Sequence, residues 1–242
     1  MKPIPPADAA PTLSGAAQDP FAEVDAHLAS IARGGEHWLG SYARHKLRMD
    51  SIYREVLPWI PAHARVLDLG CGVGLLGLLL EARGLDNSLH GIEWDAAKAR
   101  FAQQHASANP TVRVDCADLF DAVWPACEVV VLLDVLHYFP IERQRALLLR
   151  IGAHLPEGGH LLLRVMDGRA VGLARFTRLC ERVAVAFGWN RAARVHWRPL
   201  SGAQADLQAA GLVILPGAVQ ENHQALGNQF LVGEKRPGLN PA

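Results

Sequence analysis

The sequence of 242 residues lacks a net charge, a metal-binding cysteine pattern and a long apolar run. Its 24 Lys and Arg residues balance 24 Asp and Glu residues, which argues against a polyanionic partner such as nucleic acid. Cys71, Cys116, Cys127 and Cys180 form no CxxC pair, so no metal site is expected. No apolar run approaches the roughly 18 residues of a membrane span. Without a secretory signal pattern, a cytoplasmic protein is expected.

Glycine, in contrast, recurs at alternate positions in one short stretch. A brief apolar run, residues 66–69, contains Asp68 and is followed by Gly70, Gly72 and Gly74. The pattern predicts a strand, a tight turn and a helix start, with glycines where a Cβ would obstruct a close approach. Because a helix N-terminus presents free N–H groups, this turn is a candidate ligand site.

The glycines fit two registers. Residues 72–77 match the dinucleotide pattern GxGxxG, which would make the chain an NAD-dependent oxidoreductase. In that register a buried strand would run to Gly72 and enclose Asp68 and Gly70, and both are unfavourable there. A turn that begins at Gly70 leaves Asp68 at the mouth of the strand, where its carboxylate can accept hydrogen bonds. We favour this second register.

In the favoured register, Asp68-x-Gly70-x-Gly72-x-Gly74 resembles the first motif of class I S-adenosylmethionine-dependent methyltransferases. The Pro-x-Gly-Gly at residues 156–159 is similar to the same family. The resemblance implies S-adenosylmethionine as cofactor and S-adenosylhomocysteine as product. It also implies a Rossmann-like α/β fold with a doubly wound seven-stranded sheet, mostly parallel with an antiparallel last strand, and helices on both faces. Alternating strand and helix patterns predict the same architecture.

The resemblance implies a cofactor site at the carboxyl ends of the strands. Glu93 would accept hydrogen bonds from the ribose hydroxyls, and Trp94 could lie against the adenine or on the surface. Asp118 would bind the adenine amino group, although Asp115 is close in sequence and a helix-capping role is the alternative. The expected cofactor-binding residues are Asp68, Gly70, Cys71, Gly72, Gly74, Glu93, Trp94, Asp118, Leu119 and Asp134.

Residues 129–134 form an apolar run typical of a buried central strand, and it ends at Asp134. The residues that follow resemble the family's fourth motif, beside the transferred methyl, where Asp134 could partner the cofactor's ammonium. His137 is the candidate general base for a hydroxyl acceptor, with Tyr138 orienting it, although a structural histidine is equally open. His37 or His196 could replace it.

Arg164 lies in an apolar strand and needs a partner, for which Asp167 or a substrate carboxylate are candidates. The basic helix expected at residues 169–187 is either a solvated face or a docking surface for an acidic carrier or an anionic substrate.

The expected organisation places a methyltransferase domain at residues 62–235. A disordered tail at 1–20 and an N-terminal helical lid at 21–61 precede it, a substrate-side helical insertion occupies 169–200, and a short tail follows at 236–242. The Pro-Pro motif of amino-methylating nucleic-acid enzymes is absent after the fourth strand. We therefore expect a small-molecule, lipid-like or carrier-bound polyketide acceptor, methylated on oxygen. A non-catalytic cofactor-binding partner protein is the second alternative.

Overall fold

The computed structural model describes residues 19–34, 37–106, 110–166, 195–216 and 228–238, without the side chains of residues 37 and 106. The chain divides into two compact units, residues 1–129 and 130–242. Residues 1–18 of the expected tail at 1–20, and the whole of the expected basic helix at 169–187, lie outside the described residues. Asp19 and Pro20, the last two residues of that tail, belong to the start of the first helix instead.

The first unit opens with three helices, α1 (Pro20–Arg33), α2 (His37–Met49) and α3 (Ile52–Val56), followed by a 3-10 turn at Leu57–Trp59. Asp19 begins α1, because its carboxylate accepts the N–H of Phe21 at 3.0 Å. Helices α1 and α2 pack together. Asp25 of α1 binds both Arg44 (3.0 Å) and Arg48 (2.6 Å) of α2, and this fixes the face that α2 turns towards α1.

A three-stranded parallel arrangement follows in the same unit. Its elements are β1 (Arg65–Leu69), α4 (Leu75–Arg83), β2 (Ser88–Glu93), α5 (Ala96–Ala106) and β3 (Val112–Cys116). Strand β2 pairs in parallel with both β1 and β3. Asp95 caps α5 by accepting the N–H groups of Ala97 (2.9 Å) and Lys98 (3.1 Å), as the sequence predicts. Fully buried side chains such as Leu67, Leu79 and Phe101 fill the core of this unit.

The second unit contains the remaining elements. They are β4 (Val129–Leu133), a 3-10 turn at Leu136–Tyr138, α6 (Ile141–His154), β5 (His160–Met166), α7 (Leu200–Ala209), β6 (Leu212–Ile214) and β7 (Asn228–Lys235). Strand β7 runs antiparallel to both β5 and β6, which confirms the expected antiparallel last pair. Helix α7 packs on α6 and β6.

The seven strands form one sheet in the order β3-β2-β1-β4-β5-β7-β6, with helices on both sides. The expected Rossmann-like fold is confirmed: the sheet is mostly parallel, and β7 is antiparallel to both of its neighbours. The carboxyl ends of β1 and β2 thus lie side by side, as a nucleotide site of this fold requires. No helix among the described residues is long and apolar enough to cross a membrane.

Candidate active site

The glycine loop follows β1 directly and decides between the two registers. Strand β1 ends at Leu69, and Gly70, Gly72 and Gly74 all have left-handed backbone angles, with φ of 80°, 57° and 76°. The N–H groups of Gly70 and Cys71 both donate to the Ile92 carbonyl, at 2.8 and 3.1 Å. A strand running on to the second glycine, as the dinucleotide register requires, is therefore wrong. The loop is bound to β2 at its start and leads into α4.

Glu93 ends β2 and lies against this loop. Its carboxylate accepts the N–H of Gly72 at 2.9 Å through Oε2 and the N–H of Asp95 at 2.9 Å through Oε1. The side chain is buried, and burial raises the pKa of Glu93, while the two N–H donors and Lys98 act in the opposite direction. An acidic group is thus held at the loop by neutral donors.

Asp68 lies deeper than the sequence suggested. It was expected at the mouth of the strand, but it is the fourth residue of β1 and only 6% exposed. Burial, reinforced by the charge of Glu93, raises the pKa of Asp68 to about 7, and the Lys46 ammonium on α2 opposes this shift. Two buried acids beside one loop repel each other, so a cationic ligand would stabilise both in the charged form.

Open space above the loop suits a ligand that approaches the backbone. A Cβ built on Gly72 would meet no atom within 4 Å, and residues 70–80 contain no cationic side chain. The residues therefore fit a cofactor with a cationic end and vicinal hydroxyls, as S-adenosylmethionine has. Trp94, directly after Glu93, is 52% exposed and available as an apolar surface for a base.

Asp118 and Asp115 differ in what they bind. The Asp115 carboxylate is held by His90, with 2.7 Å between Nε2 and Oδ2, inside the β2–β3 pair. Asp118 lies in the exposed loop after β3, where its Oδ1 accepts the N–H of Phe120 at 2.8 Å. Asp118 thus binds a backbone N–H within its own turn, and no helix begins there among the described residues. Its role at the adenine stays a prediction.

Cys71 and Leu119 have side chains directed into the protein. Cys71 belongs to a buried cluster with Ala99, Ala102 and Val114, and burial raises the pKa of its thiol well above the usual value. Leu119 is buried, and its carbonyl accepts the indole N–H of Trp124 at 3.1 Å. Any cofactor contact of Cys71 is consequently one of its backbone.

In the second unit, Asp134 follows β4 in a left-handed conformation with φ of 60°, an uncommon state for a residue other than glycine. Arg164 of β5 binds its carboxylate with two donors, Nε to Oδ1 at 2.6 Å and Nη2 to Oδ2. The expected partners of Arg164 were Asp167, which lies outside the described residues, or a substrate. The observed partner is Asp134, and this pairing neutralises an acid that was expected to meet the cofactor's ammonium.

His137 and Tyr138 lie in the 3-10 turn that follows. The His137 side chain is buried, and its ring centroid is 4.2 Å from that of Tyr138. Trp197 stacks nearly parallel to His137, with an interplanar angle of 8° and centroids 6.1 Å apart. The His137 carbonyl accepts the N–H of His196 at 2.8 Å. Two of the three candidate bases thus lie in separate segments that this hydrogen bond joins, and the side chain of the third, His37, lies outside the described part of the chain.

Gln144 is a residue that the sequence analysis missed. Its side-chain amide donates to the carbonyls of Phe139 (2.9 Å) and His196 (3.0 Å) and joins the His137 turn to the segment before α7. The sequence did contain a signal for this residue, because Gln144 lies at helical spacing on the same apolar face as Leu147, Leu148 and Ile151. A polar residue on a buried stripe requires hydrogen-bond partners.

The fold and the glycine loop define a Rossmann-like nucleotide-binding protein with acids at its strand ends. A family model described as a methyltransferase domain matches residues 40–215. The chain belongs to this family, which confirms the expected class I methyltransferase and S-adenosylmethionine as its cofactor.

Individual proteins show more limited similarity. The chain is 42% identical over 67 residues to a tRNA1(Val) (adenine(37)-N6)-methyltransferase from Dickeya chrysanthemi, a match that spans 26% of each chain. Magnesium protoporphyrin IX methyltransferase from Synechocystis, solved with bound S-adenosylhomocysteine, has a TM-score of 0.60 at 18% identity, covering 90% of this chain and 93% of that one. An O-methyltransferase family protein from Burkholderia thailandensis has a TM-score of 0.63 at 21% identity, covering 88% and 63%. These two structures share the fold.

Proposed function

We propose that this protein transfers a methyl group from S-adenosylmethionine to an oxygen atom of a small-molecule acceptor. The observation that carries the proposal is the Glu93 carboxylate, buried beside an open glycine loop and bound to the N–H of Gly72 at 2.9 Å. An acid in this position suits ribose hydroxyls.

The first unit would bind the donor. Gly70, Gly72 and Gly74 let the backbone approach the ligand, Glu93 takes the ribose, and Asp118 with the backbone of Leu119 takes the adenine, which Trp94 flanks. When bound, S-adenosylmethionine supplies a methyl group on a sulfonium, which is open to attack by a nucleophile. For the domain limits we propose residues 62–235 as the methyltransferase domain and residues 21–61 as a lid.

The second unit would act on the acceptor. His137 would accept the proton of an acceptor hydroxyl, with Tyr138 orienting the group. The position of the His137 ring supports this role. Trp197 stacks against the ring, and the N–H of His196 donates to the His137 carbonyl. Positioning an acceptor in this way can supply roughly 7–11 kcal/mol of the barrier reduction.

A small molecule is the acceptor class that the chain favours. The net charge is zero, and two proteins of the same fold are a porphyrin methyltransferase and an O-methyltransferase family member. The partial relative from Dickeya is a tRNA methyltransferase, but the residues after β4 read Asp134-Val135-Leu136-His137 and lack the Pro-Pro motif of amino-methylating nucleic-acid enzymes.

Calorimetric titration of the full chain with S-adenosylhomocysteine tests the donor site, with NADH as control. We expect micromolar binding of S-adenosylhomocysteine and none of NADH, and the reverse result would overturn the proposal.

An acceptor screen with radiolabelled S-adenosylmethionine should include hydroxylated aromatic and polyketide compounds, carrier-bound substrates and bulk tRNA. Methylation of tRNA alone would contradict a small-molecule acceptor, and binding without turnover on every acceptor would favour a non-catalytic partner protein.

Once an acceptor is found, His137→Ala tests the proposed base. We expect turnover to fall by roughly 10²–10⁴-fold, the contribution of a positioned general base, while S-adenosylhomocysteine affinity stays within about twofold. His63→Ala is a matched control, because the His63 side chain is 73% exposed. If His137→Ala keeps the turnover of His63→Ala, then His137 is not the base.

A further inference from the structure

Arg198, in the second unit, is a buried cation whose hydrogen-bonding groups are only partly used. Its side chain is 9% exposed, and its Nη2 donates to the Asp206 carboxylate at 2.7 Å. Its Nε and Nη1 are buried and have no hydrogen-bond partner among the residues that the structure describes. Because an unpaired buried donor is costly, these two groups are suited to the oxygen atoms of a ligand.

The charge of Arg198 is not fully cancelled by Asp206. The same carboxylate also accepts Nη1 of Arg145 at 3.2 Å, and Asp206 is itself buried. Two guanidiniums therefore share one carboxylate, and the three groups together carry one positive charge. A cluster with this charge attracts a ligand that carries a single negative charge.

The Arg198 guanidinium lies against the first turn of α7. A Cβ built on Gly202 would be 3.1 Å from Nη2, 3.4 Å from Nε and 3.7 Å from Cζ, so the edge with Nε and Nη2 faces the helix. Helix α7 follows Pro199 and has no side-chain cap. The first N–H groups of a helix attract anions. Arg198 and the start of α7 thus offer donors to one oxyanion.

This cluster is next to the proposed acceptor site in the chain. Trp197 stacks against His137, and the N–H of His196 donates to the His137 carbonyl. The Cα of Arg198 is two residues from that of His196, and an extended chain puts the two atoms at most about 7 Å apart. An anion bound at Arg198 can therefore be part of the acceptor molecule whose hydroxyl lies at His137.

We propose that Arg198 and the N-terminus of α7 bind a carboxylate of the acceptor, so that the acceptor is a hydroxylated carboxylic acid. The charge of the cluster matches a carboxylate better than a phosphate monoester, which carries about −1.5 to −2 at neutral pH. This inference rests on the proposed function, for which it names the substrate class.

Compounds that differ only in the anionic group test the inference. Salicylate, 3,4-dihydroxybenzoate and caffeate are compared with their primary amides by calorimetric titration of the full chain, with and without saturating S-adenosylhomocysteine. We expect at least one carboxylate to bind about tenfold more tightly than its amide, as for a charge-assisted hydrogen bond. Arg198→Gln should abolish this preference and leave the affinity for the amide within about twofold.

Two further variants control the experiment. Arg236→Gln removes a cation that is 53% exposed on β7's C-terminal side, and it should keep the wild-type preference. Arg198→Lys keeps the charge beside Asp206 and guards against an unfolded glutamine variant. Because lysine has no Nε–H to direct at α7, the preference should fall severalfold in this variant.

Three results would overturn the inference: no carboxylate preferred over its amide, a preference that persists in Arg198→Gln or is unchanged in Arg198→Lys, or equal losses for carboxylate and amide. The last result would assign Arg198 to the fold. If the carboxylate is preferred but the chain binds no S-adenosylhomocysteine, the proposed function fails and the anion site remains.

Discussion

The strand-end acids of the two units look equivalent in sequence but have different partners. In the first unit, Glu93 accepts two backbone N–H groups, and Asp68 lies buried near it. In the second unit, Asp134 receives two donors from the Arg164 guanidinium. Neutral donors leave the negative charge of Glu93 available to a ligand, whereas a guanidinium cancels that of Asp134.

This difference supports the proposal that the cofactor binds to the first unit. A cationic or hydroxyl-bearing ligand gains more from an acid held by backbone dipoles than from one already in an ion pair. The Asp134–Arg164 pair instead fixes the left-handed residue at the start of the His137 turn, and Arg164 is almost fully buried. Removal of Asp134 alone would leave the buried charge of Arg164 without this partner.

The largest effect is expected from filling the space above the glycine loop. Gly72→Val should abolish detectable S-adenosylhomocysteine binding in calorimetry, because the side chain occupies the volume that the cofactor needs. The matched control is Gly84→Val at the end of α4. Both glycines have a left-handed φ, 57° and 65°, and a Cβ on either meets no atom within 4 Å. The backbone strain, about 1–2 kcal/mol, should therefore lower the free energy of unfolding similarly in both variants.

Equal losses of affinity in the two glycine variants would show that strain, and not occupied space, prevents binding. The comparison would also fail if Gly72→Val bound as tightly as the wild type, since the cofactor would then not pass over this residue.

A smaller effect separates the acids of the two units. Glu93→Ala should weaken S-adenosylhomocysteine binding about 10–100-fold, because the lost ribose hydrogen bonds are worth roughly 1–3 kcal/mol. Asp134→Asn, which keeps the shape of the side chain, should change the affinity less than about threefold, since the charge it removes is already neutralised by Arg164. Calorimetry on both variants checks this, with urea unfolding to confirm folding. A larger loss for Asp134→Asn than for Glu93→Ala would reverse the assignment.

Sequence reasoning succeeded where the chemistry is local. Left-handed turns need residues without a Cβ, so alternating glycines located the turn at Gly70, and short apolar runs located the strands. The position of Glu93 at the end of β2 is also a local result, because the apolar run before it defines where the strand ends. Asp95 as the cap of α5 is another local prediction that the structure confirms.

Contacts between distant segments could not be predicted in the same way. The sequence showed that Arg164 needs a partner, but choosing Asp134 requires knowing that β4 and β5 are neighbours and that residue 134 has a left-handed backbone. The burial of Asp68 and its raised pKa likewise depend on elements outside β1. Burial and electrostatics are properties of several elements at once, and a pattern within one element does not contain them.

The smallest predicted effect uses the depth of Asp68 to distinguish it from the other acids. Burial raises its pKa to about 7, above the usual 3.8, so in the free protein the carboxyl is largely protonated at pH 6 and largely ionised at pH 7.5. A ligand ammonium prefers the ionised form, and S-adenosylhomocysteine affinity should therefore rise with pH, by roughly eightfold over this interval.

The stability of the free protein should change in the opposite direction. A carboxyl with a raised pKa in the folded state binds its proton more tightly there than in the unfolded chain, so stability falls as the pH rises from about 4 to about 7 and then levels off. Asp68→Asn should remove the pH dependence of the affinity and weaken that of the stability, to which the raised pKa of Glu93 contributes in the same direction. Calorimetry and urea unfolding at matched pH values measure them, and 5′-methylthioadenosine, which has no ammonium, should bind independently of pH in the wild type. If the affinity of Asp68→Asn for S-adenosylhomocysteine still depends on pH, another group causes that dependence. The difference in ligand binding between the two units would then rest on Glu93 alone, and not on Asp68.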